Sequence, residues 1–299
     1  MLSDSTSTIL AERSSWTEPR RRAIYCSVLL AALVVVLYAP VIGSMARQWW
    51  SDPNYTHGLL VPIFAAFLLW RERANWNSVP ARPSDYGLPI MLFAISFLIV
   101  GILGSEHFTA RASLILLIAG MVIFLAGWQA LRSIAFPIGY LFFMIPLPAI
   151  IYYQITFPLQ LLASRLGARG LVLLNVPTVR EGNLLILPNC TLEVVEACSG
   201  VRSLLSLLAA VVGYAYLAEP AIWKRCVLVA SVIPIVILSN GLRLVTLGEL
   251  SFTYGPGVDS GAAHSAIGLG FFALAFLSVL VLHAALGRFK GKEVPVPSH

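Results

Sequence analysis

Charged side chains are scarce in this sequence, and their scarcity argues against an ordinary soluble domain. Only 11% of the 299 residues are Asp, Glu, Lys or Arg, whereas 58% are apolar. The mean hydropathy of +0.84 is typical of a chain that lies mostly in a lipid bilayer. We therefore expect an integral membrane protein.

Several binding signatures are missing as well. The sequence has no phosphate-binding loop, no zinc-ligand spacing and no evident repeat. Its net charge of +6 comes from basic residues scattered in short loops, which suits anionic lipid headgroups better than nucleic acid. We expect membrane lipids around the chain, and no metal, organic cofactor or nucleic-acid partner.

Long apolar runs predict an all-α integral membrane protein with about eight transmembrane helices, since roughly 20 apolar residues cross the hydrocarbon layer. The predicted spans are residues 23–43, 58–74, 86–104, 112–130, 132–151, 199–218, 222–247 and 264–286. Most Lys and Arg then lie on the side of the N-terminus, which the positive-inside rule makes cytoplasmic. The second run is short and could instead be a re-entrant segment, in which case every later loop would lie on the opposite side of the membrane.

The spans predict three regions along the chain. Residues 1–22 form a cytoplasmic N-terminal segment, residues 23–286 a membrane domain, and residues 287–299 a cytoplasmic tail. The first apolar run has no clear small-residue cleavage site, so it predicts an uncleaved anchor.

One segment of the membrane domain, residues 152–197, is too polar for the bilayer and predicts a small cap on the outer face. The amphipathic stretch around residues 161–174 predicts an interfacial helix. Residues 184–187 and 191–195 flank a Pro-Asn turn and predict a β-hairpin.

A thiol follows this polar segment, where the sixth predicted span begins. Cys198 lies in residues 196–202, EACSGVR. Helix N-terminal amides and a nearby Arg or His⁺ lower the pKa of a thiol from about 8.5 and favour the thiolate. The pattern predicts a nucleophile, and the supporting residues predicted around it are Glu196, Ser199, Gly200 and Arg202.

Further polar residues are predicted at the same membrane depth. Arg243, with Asn240 one turn earlier, lies near the outer end of the seventh span, and His264 opens the eighth. His57, two residues after Tyr55, begins the second. Ionisable residues are costly at this depth and usually mark a functional site.

These residue types fit covalent catalysis on a peptide carbonyl. The thiolate of Cys198 would form a thioester, His264 would protonate the leaving amine, and Arg243 would stabilise the oxyanion or the thiolate. Alternatives stay open: Cys190 and Cys198 form a disulfide, Arg243 merely extends to the interface, or His264 only caps its helix. A positioning role for His57 is as well supported as a catalytic one.

The ordered motifs resemble the exosortase/archaeosortase family of membrane cysteine transpeptidases. They are YTHGLLVP at 55–62, EACSGVR at 196–202, NGLR at 240–243 and HSAIG at 264–268, and the likeness covers residues 55–286. A histidine at His264, where archaeosortases have arginine, makes the chain more similar to a bacterial exosortase.

The resemblance implies a sorting enzyme of the bacterial cytoplasmic (inner) membrane, with both termini in the cytoplasm and the active site at the periplasmic face. The implied partners are secreted proteins with a C-terminal PEP-CTERM-type signal: a Pro-Glu-Pro-like motif, a transmembrane helix and a basic tail. Cleavage, with transfer to a glycan or lipid-linked acceptor, is the implied reaction. The family's Cys, Arg and His fall on Cys198, Arg243 and His264.

Two other function classes compete with this interpretation. A transporter or flippase would line a polar path with His57, Arg243 and His264, although such proteins often carry repeats and broken helices near the bilayer midplane. A membrane cysteine acyltransferase would share the thioester but use a lipid or glycan donor. Loss of signal cleavage on Cys198→Ala would separate the protease from both.

Overall fold

The structure is a computed structural model that describes residues 4–194, 200–255 and 261–288. Most of these residues are helical, and the helices in chain order are α1 (Asp4–Ser51), α2 (Leu60–Arg71), α3 (Arg73–Asn77), α4 (Gly87–Leu103), α5 (His107–Ala126), α6 (Trp128–Ser133), α7 (Ala135–Tyr140), α8 (Ala149–Leu173), α9 (Val201–Ala218), α10 (Ile222–Tyr254) and α11 (Gly261–Arg288). Short 3-10 helices cover Thr56–Leu59 and Leu141–Met144. The chain forms two compact units, residues 1–47 and 48–299.

The helices support a multi-pass membrane protein, but with fewer crossings than the eight predicted. In the described part of the chain, five helices are long and apolar enough to cross a bilayer, namely Val28–Ser51, His107–Ala126, Val201–Ala218, Ile222–Tyr254 and Ala263–Arg288. A sixth is counted if Ala135–Met144 and Ala149–Leu173, bent by 75°, form one broken span. The all-α membrane class is therefore confirmed, whereas the count of eight is not.

The remaining predicted spans are shortened or broken at identifiable residues. The second predicted span, residues 58–74, consists of part of a 3-10 helix and the 12 residues of α2, which ends at Arg71. Helix α4 has 17 residues and ends before Ser105, whose φ is +53°; at 1.5 Å per residue its length is about 25 Å. The fifth is interrupted between Met144 and Ala149, where Pro146 and Pro148 supply no backbone N–H donor.

Helices α4 and α5 form a tightly packed pair because small residues face each other. A Cβ on Gly101 would lie 2.6 Å from the backbone nitrogen of Ala110, and one on Gly87 would lie 2.6 Å from the carbonyl oxygen of Gly120. Glycine and alanine let the two backbones approach, which is a common way to pack helices in lipid.

Helix α8 packs on α10 in the same manner. A Cβ on Gly170 would lie 2.2 Å from Cγ2 of Val245, and one on Gly248 would lie 2.7 Å from Cδ1 of Leu171. Residues 161–174, which the sequence predicts as an interfacial helix, are almost entirely the second half of α8, a helix of 25 residues that contains Pro158. The amphipathic pattern therefore marks a helix packed on a neighbour and a sheet.

A three-stranded antiparallel sheet follows α8, with order β1-β2-β3. The strands are β1 (Val179–Glu181), β2 (Leu184–Ile186) and β3 (Thr191–Glu193). The sequence predicts the second and third strands and misses the first, because β1 has one apolar residue. The sheet belongs to a core with α8 and α10, formed by Ala163, Leu171, Val176, Leu185, Leu187, Leu192, Val194 and Leu244.

Helices α9, α10 and α11 share a second core. Its buried residues are Leu207, Val211, Ala215, Leu228, Val232, Val236, Ala275 and Val279. This core joins the second half of α9, the first half of α10 and the middle of α11. The polar residues of the candidate site lie beyond it, at the starts of α9 and α11 and in the second half of α10.

Candidate active site

The first turn of α9 begins at a glycine that no other residue replaces easily. Gly200 has φ +83°, a left-handed conformation in which L side chains are strained. Its carbonyl accepts a hydrogen bond from the backbone N–H of Leu204 at 2.7 Å. A Cβ at Gly200 would lie 3.2 Å from Cγ of Asn240, so this glycine lets the start of α9 lie directly against α10.

Asn240 and Arg243 extend this contact along α10. They are three residues apart, so they share one face of the helix, and both are buried, with 6% and 8% of their surface exposed. A buried guanidinium inside an apolar helix is expensive unless it has partners. Asn240 and Arg243 thus give α10 a buried polar face.

Arg243 reaches across to α11. Its Nη2 donates a hydrogen bond to Nε2 of His264 over 2.7 Å. Because a guanidinium is a donor only, Nε2 must be the acceptor, and the imidazole in this pair is neutral with its proton on Nδ1. A Cβ on Gly268, one turn after His264, would lie 3.3 Å from Nη2, so this glycine keeps the space that the guanidinium fills.

The loop before α2 is attached to the first two turns of α9. Nε of Arg202 donates to Oδ1 of Asn54 over 3.1 Å, and Oγ of Ser206 lies 3.2 Å from Nδ1 of His57. Arg202 and Ser206 are four residues apart and so share a face. The structure thus places His57 at the start of α9, and its observed contact fits a positioning role.

Tyr55 is buried beside the broken helix pair. Its ring packs on that of Tyr152 with centroids 6.2 Å apart and planes inclined by 52°. It belongs to the loop that carries Asn54 and His57, and therefore helps to fix that loop.

Three predicted site residues, Glu196, Cys198 and Ser199, lie outside the described residues. Cys190 is half-buried and packs against the core of the sheet. The described members of the predicted set form two groups. Gly200, Asn240, Arg243 and His264 belong to the contacts of α9 with α10 and of α10 with α11. Tyr55, His57 and Arg202 belong to the loop before α2 and to the turn of α9 that binds it through Asn54 and Ser206.

A polar network lies at the other end of α9, around His283, which belongs to none of the sequence motifs. The hydroxyl of Tyr214 lies 2.6 Å from Nδ1 of His283, and Nε2 of His283 lies 3.4 Å from Oε2 of Glu219. The backbone N–H of Ala221 holds the pKa of the Glu219 carboxyl below its ordinary range, with help from Lys224 and His283 and against burial. A glutamate between two apolar helices is the sequence signal for this network.

In the described part of the chain, no group of three or more His, Cys, Asp and Glu side chains is arranged to hold a metal ion. The contacts bring together the guanidinium of Arg243, the neutral imidazole of His264 and the side chain of Asn240, which lies against the start of α9. Such a set can bind an oxyanion and exchange a proton with a substrate.

Fold and site together define a multi-pass α-helical membrane protein in which a buried arginine of α10 donates a hydrogen bond to a half-buried histidine at the start of α11. Its sequence matches the family described as transmembrane exosortase over residues 49–281, which is most of the chain. The protein therefore belongs to the transmembrane exosortase family. No curated protein and no solved structure matches it.

Proposed function

We propose that the protein is a membrane cysteine endopeptidase or transpeptidase that cleaves a C-terminal sorting signal of PEP-CTERM type. The observation that carries this proposal is the Arg243–His264 hydrogen bond of 2.7 Å. Arg243 lies on the same face of α10 as Asn240, which packs against Gly200. Family membership supports the same class of reaction.

Cys198 is the proposed nucleophile because it precedes Gly200 by two residues in the sequence. Two residues of chain span at most about 7 Å. The thiol belongs to the segment that ends at the first turn of α9, and Gly200 packs on the face of α10 that also carries Arg243.

The reaction follows from the residue types. The thiol proton passes to His264 Nε2 once Arg243 turns its N–H donors toward the substrate carbonyl. The thiolate then bonds to the carbonyl carbon, and Arg243 stabilises the negative oxygen. When the tetrahedral intermediate collapses, the C–N bond breaks and His264 returns its proton to the leaving amine, which leaves a thioester on Cys198.

An acceptor completes the cycle. A hydroxyl or amine of a glycan- or lipid-linked acceptor, or water, attacks the thioester carbon and loses its proton to His264. The acyl group moves to the acceptor and the thiol is restored. The proposed location is a bacterial inner membrane with this chemistry at the periplasmic face, where secreted proteins present their signals.

A co-expression assay tests the proposal. A reporter that ends in a Pro-Glu-Pro motif, an apolar helix and a basic tail is produced with the wild type, Cys198→Ala or Cys190→Ala, and cleavage is followed by gel shift. We expect the wild type and Cys190→Ala to cleave, and Cys198→Ala to be inactive. Cleavage by Cys198→Ala would refute the thiol mechanism, and loss in Cys190→Ala would favour a required disulfide.

A further inference from the structure

A second buried arginine lies in the same part of the molecule, and the proposed reaction does not use it. Arg111, in the second turn of α5, has 5% of its surface exposed. Its Nη1 donates to Oε1 of Gln48 over 2.8 Å. Its Nε is buried and has no hydrogen-bond acceptor among the described residues.

No ion pair neutralises this guanidinium in the described part of the chain. Glu106 is close enough for an electrostatic interaction with Arg111. Its carboxylate, however, accepts from the backbone N–H of Thr109 at 2.8 Å and from the hydroxyl at 2.9 Å, so it serves the start of α5. A buried cation with an unused donor costs free energy unless an anion binds to it.

Contacts connect Arg111 to the start of α9. Gln48 is followed within six residues by Asn54, which accepts a hydrogen bond from Arg202. Tyr55, the next residue, lies close to Arg111 and packs on Tyr152. A peptide that lies along the start of α9 would therefore be near the loop that carries Asn54 and Tyr55.

We infer that Arg111 binds the side-chain carboxylate of the substrate's sorting motif, an inference that rests on the proposed function. The planar guanidinium presents donors in pairs that match a carboxylate. Gln48 supplies a neutral oxygen at this place, and a carboxylate replaces it favourably because charge-assisted hydrogen bonds are roughly twice as strong.

Substrate preference tests this inference. Two reporters that differ only in Pro-Glu-Pro or Pro-Gln-Pro are co-expressed with the wild type, Arg111→Gln, Gln48→Glu and the control Arg165→Gln. Arg165 is exposed on α8 and stands outside the site. We expect the wild type and the control to prefer the glutamate reporter by about tenfold or more, as is typical of a hydrogen bond to a charged group.

Both site variants should lose that preference for different reasons. Arg111→Gln removes the donors, whereas Gln48→Glu adds a carboxylate that competes with the substrate. Cleavage of the glutamine reporter should remain detectable in both, which shows that they fold, and Arg165→Gln is the control for the wild-type rate.

Three results overturn the inference. The first is a preference that persists in both variants, as it would if Arg111 bound a lipid phosphate. The second is loss of cleavage of both reporters together, as for a structural arginine, and the third is equal cleavage of both reporters by the wild type. Failure of the wild type to cleave either reporter is a different outcome, and it overturns the proposed function itself.

Discussion

At the residue scale, the Arg243–His264 pair depends on the absence of a side chain at position 268. The closest atoms to a Cβ there would be Nη2 and Cζ of Arg243, at 3.3 and 3.4 Å. The sequence predicts both members of the pair from their depth in the membrane. It could not predict that they bond to each other, because that contact depends on how α10 and α11 pack.

Gly268→Ala should therefore displace the guanidinium and slow cleavage on the order of tenfold, since small misplacements of catalytic groups are costly. Gly270→Ala is the matched control, because a Cβ there meets nothing within 4 Å. Cleavage rates from the reporter assay, normalised to the amount of enzyme in the membrane, measure the difference. Equal rates in the two variants would show that the position of Arg243 is not critical.

Gly200 differs from Gly182 in its surroundings and resembles it in backbone conformation. Both have positive φ, +83° and +62°, but a Cβ would contact Asn240 at the first and nothing at the second. Each substitution by alanine should cost stability of about 1 to 2 kcal/mol. Reporter cleavage should fall in Gly200→Ala alone; a similar loss in Gly182→Ala would assign the effect to strain and not to the site.

At the element scale, the sequence predicts where apolar helices lie but not where they break. Pro146 and Pro148 interrupt the fifth predicted span, and the proposed interfacial helix is part of α8 because its apolar face packs on α10 and the sheet. Strand β1 has no alternating pattern of its own, and its pairing with β2 is a tertiary effect. Those outcomes depend on neighbours that a sequence window does not contain.

The start of α5 offers a test of one element. Glu106 is its N-cap, and the hydrogen bond from the backbone N–H of Thr109 holds the pKa of the Glu106 carboxyl below its ordinary value of 4.5. The ionised carboxylate therefore stabilises the folded protein at pH values above its ordinary pKa of 4.5. This stabilisation is lost as the pH falls through the lowered pKa of the folded state.

Glu106→Ala should lower the stability by about 1 kcal/mol at pH 7. The difference from the wild type should shrink as the pH falls below 4.5, where the unfolded chain binds a proton first, and should vanish once the cap itself is protonated at its lower pKa. Thermal unfolding of the purified protein in detergent, measured at several pH values, gives both quantities. A difference that grew on acidification would mean that Glu106 is not an ionised cap.

At the scale of the whole molecule, the length and composition of the helices decide which segments can cross the bilayer. Among the described residues, five helices have the length and composition to cross, a bent pair adds a sixth, and Thr56–Arg71 and Gly87–Leu103 are shorter apolar helices. The proposed orientation places the N-terminus inside and the candidate site outside. Hydropathy indicates a membrane protein clearly, but it does not separate a short crossing helix from a re-entrant one.

Reporter fusions test that orientation. A green fluorescent protein fused after Trp76 should fluoresce, because we expect that loop in the cytoplasm. Alkaline phosphatase fused after Thr253 should be active, because we expect that loop in the periplasm. The reverse pattern would place the candidate site in the cytoplasm and contradict the proposed access of secreted substrates.

The central claim is that Cys198 forms a thioester with the sorted protein. The most direct measurement is to isolate the enzyme from cells that produce the reporter and to map any covalent adduct by mass spectrometry, with and without hydroxylamine, which cleaves thioesters. We predict a reporter fragment attached to Cys198, removed by hydroxylamine and absent from Cys198→Ala. A reporter cleaved normally by Cys198→Ala, or an adduct on another residue, would contradict the account.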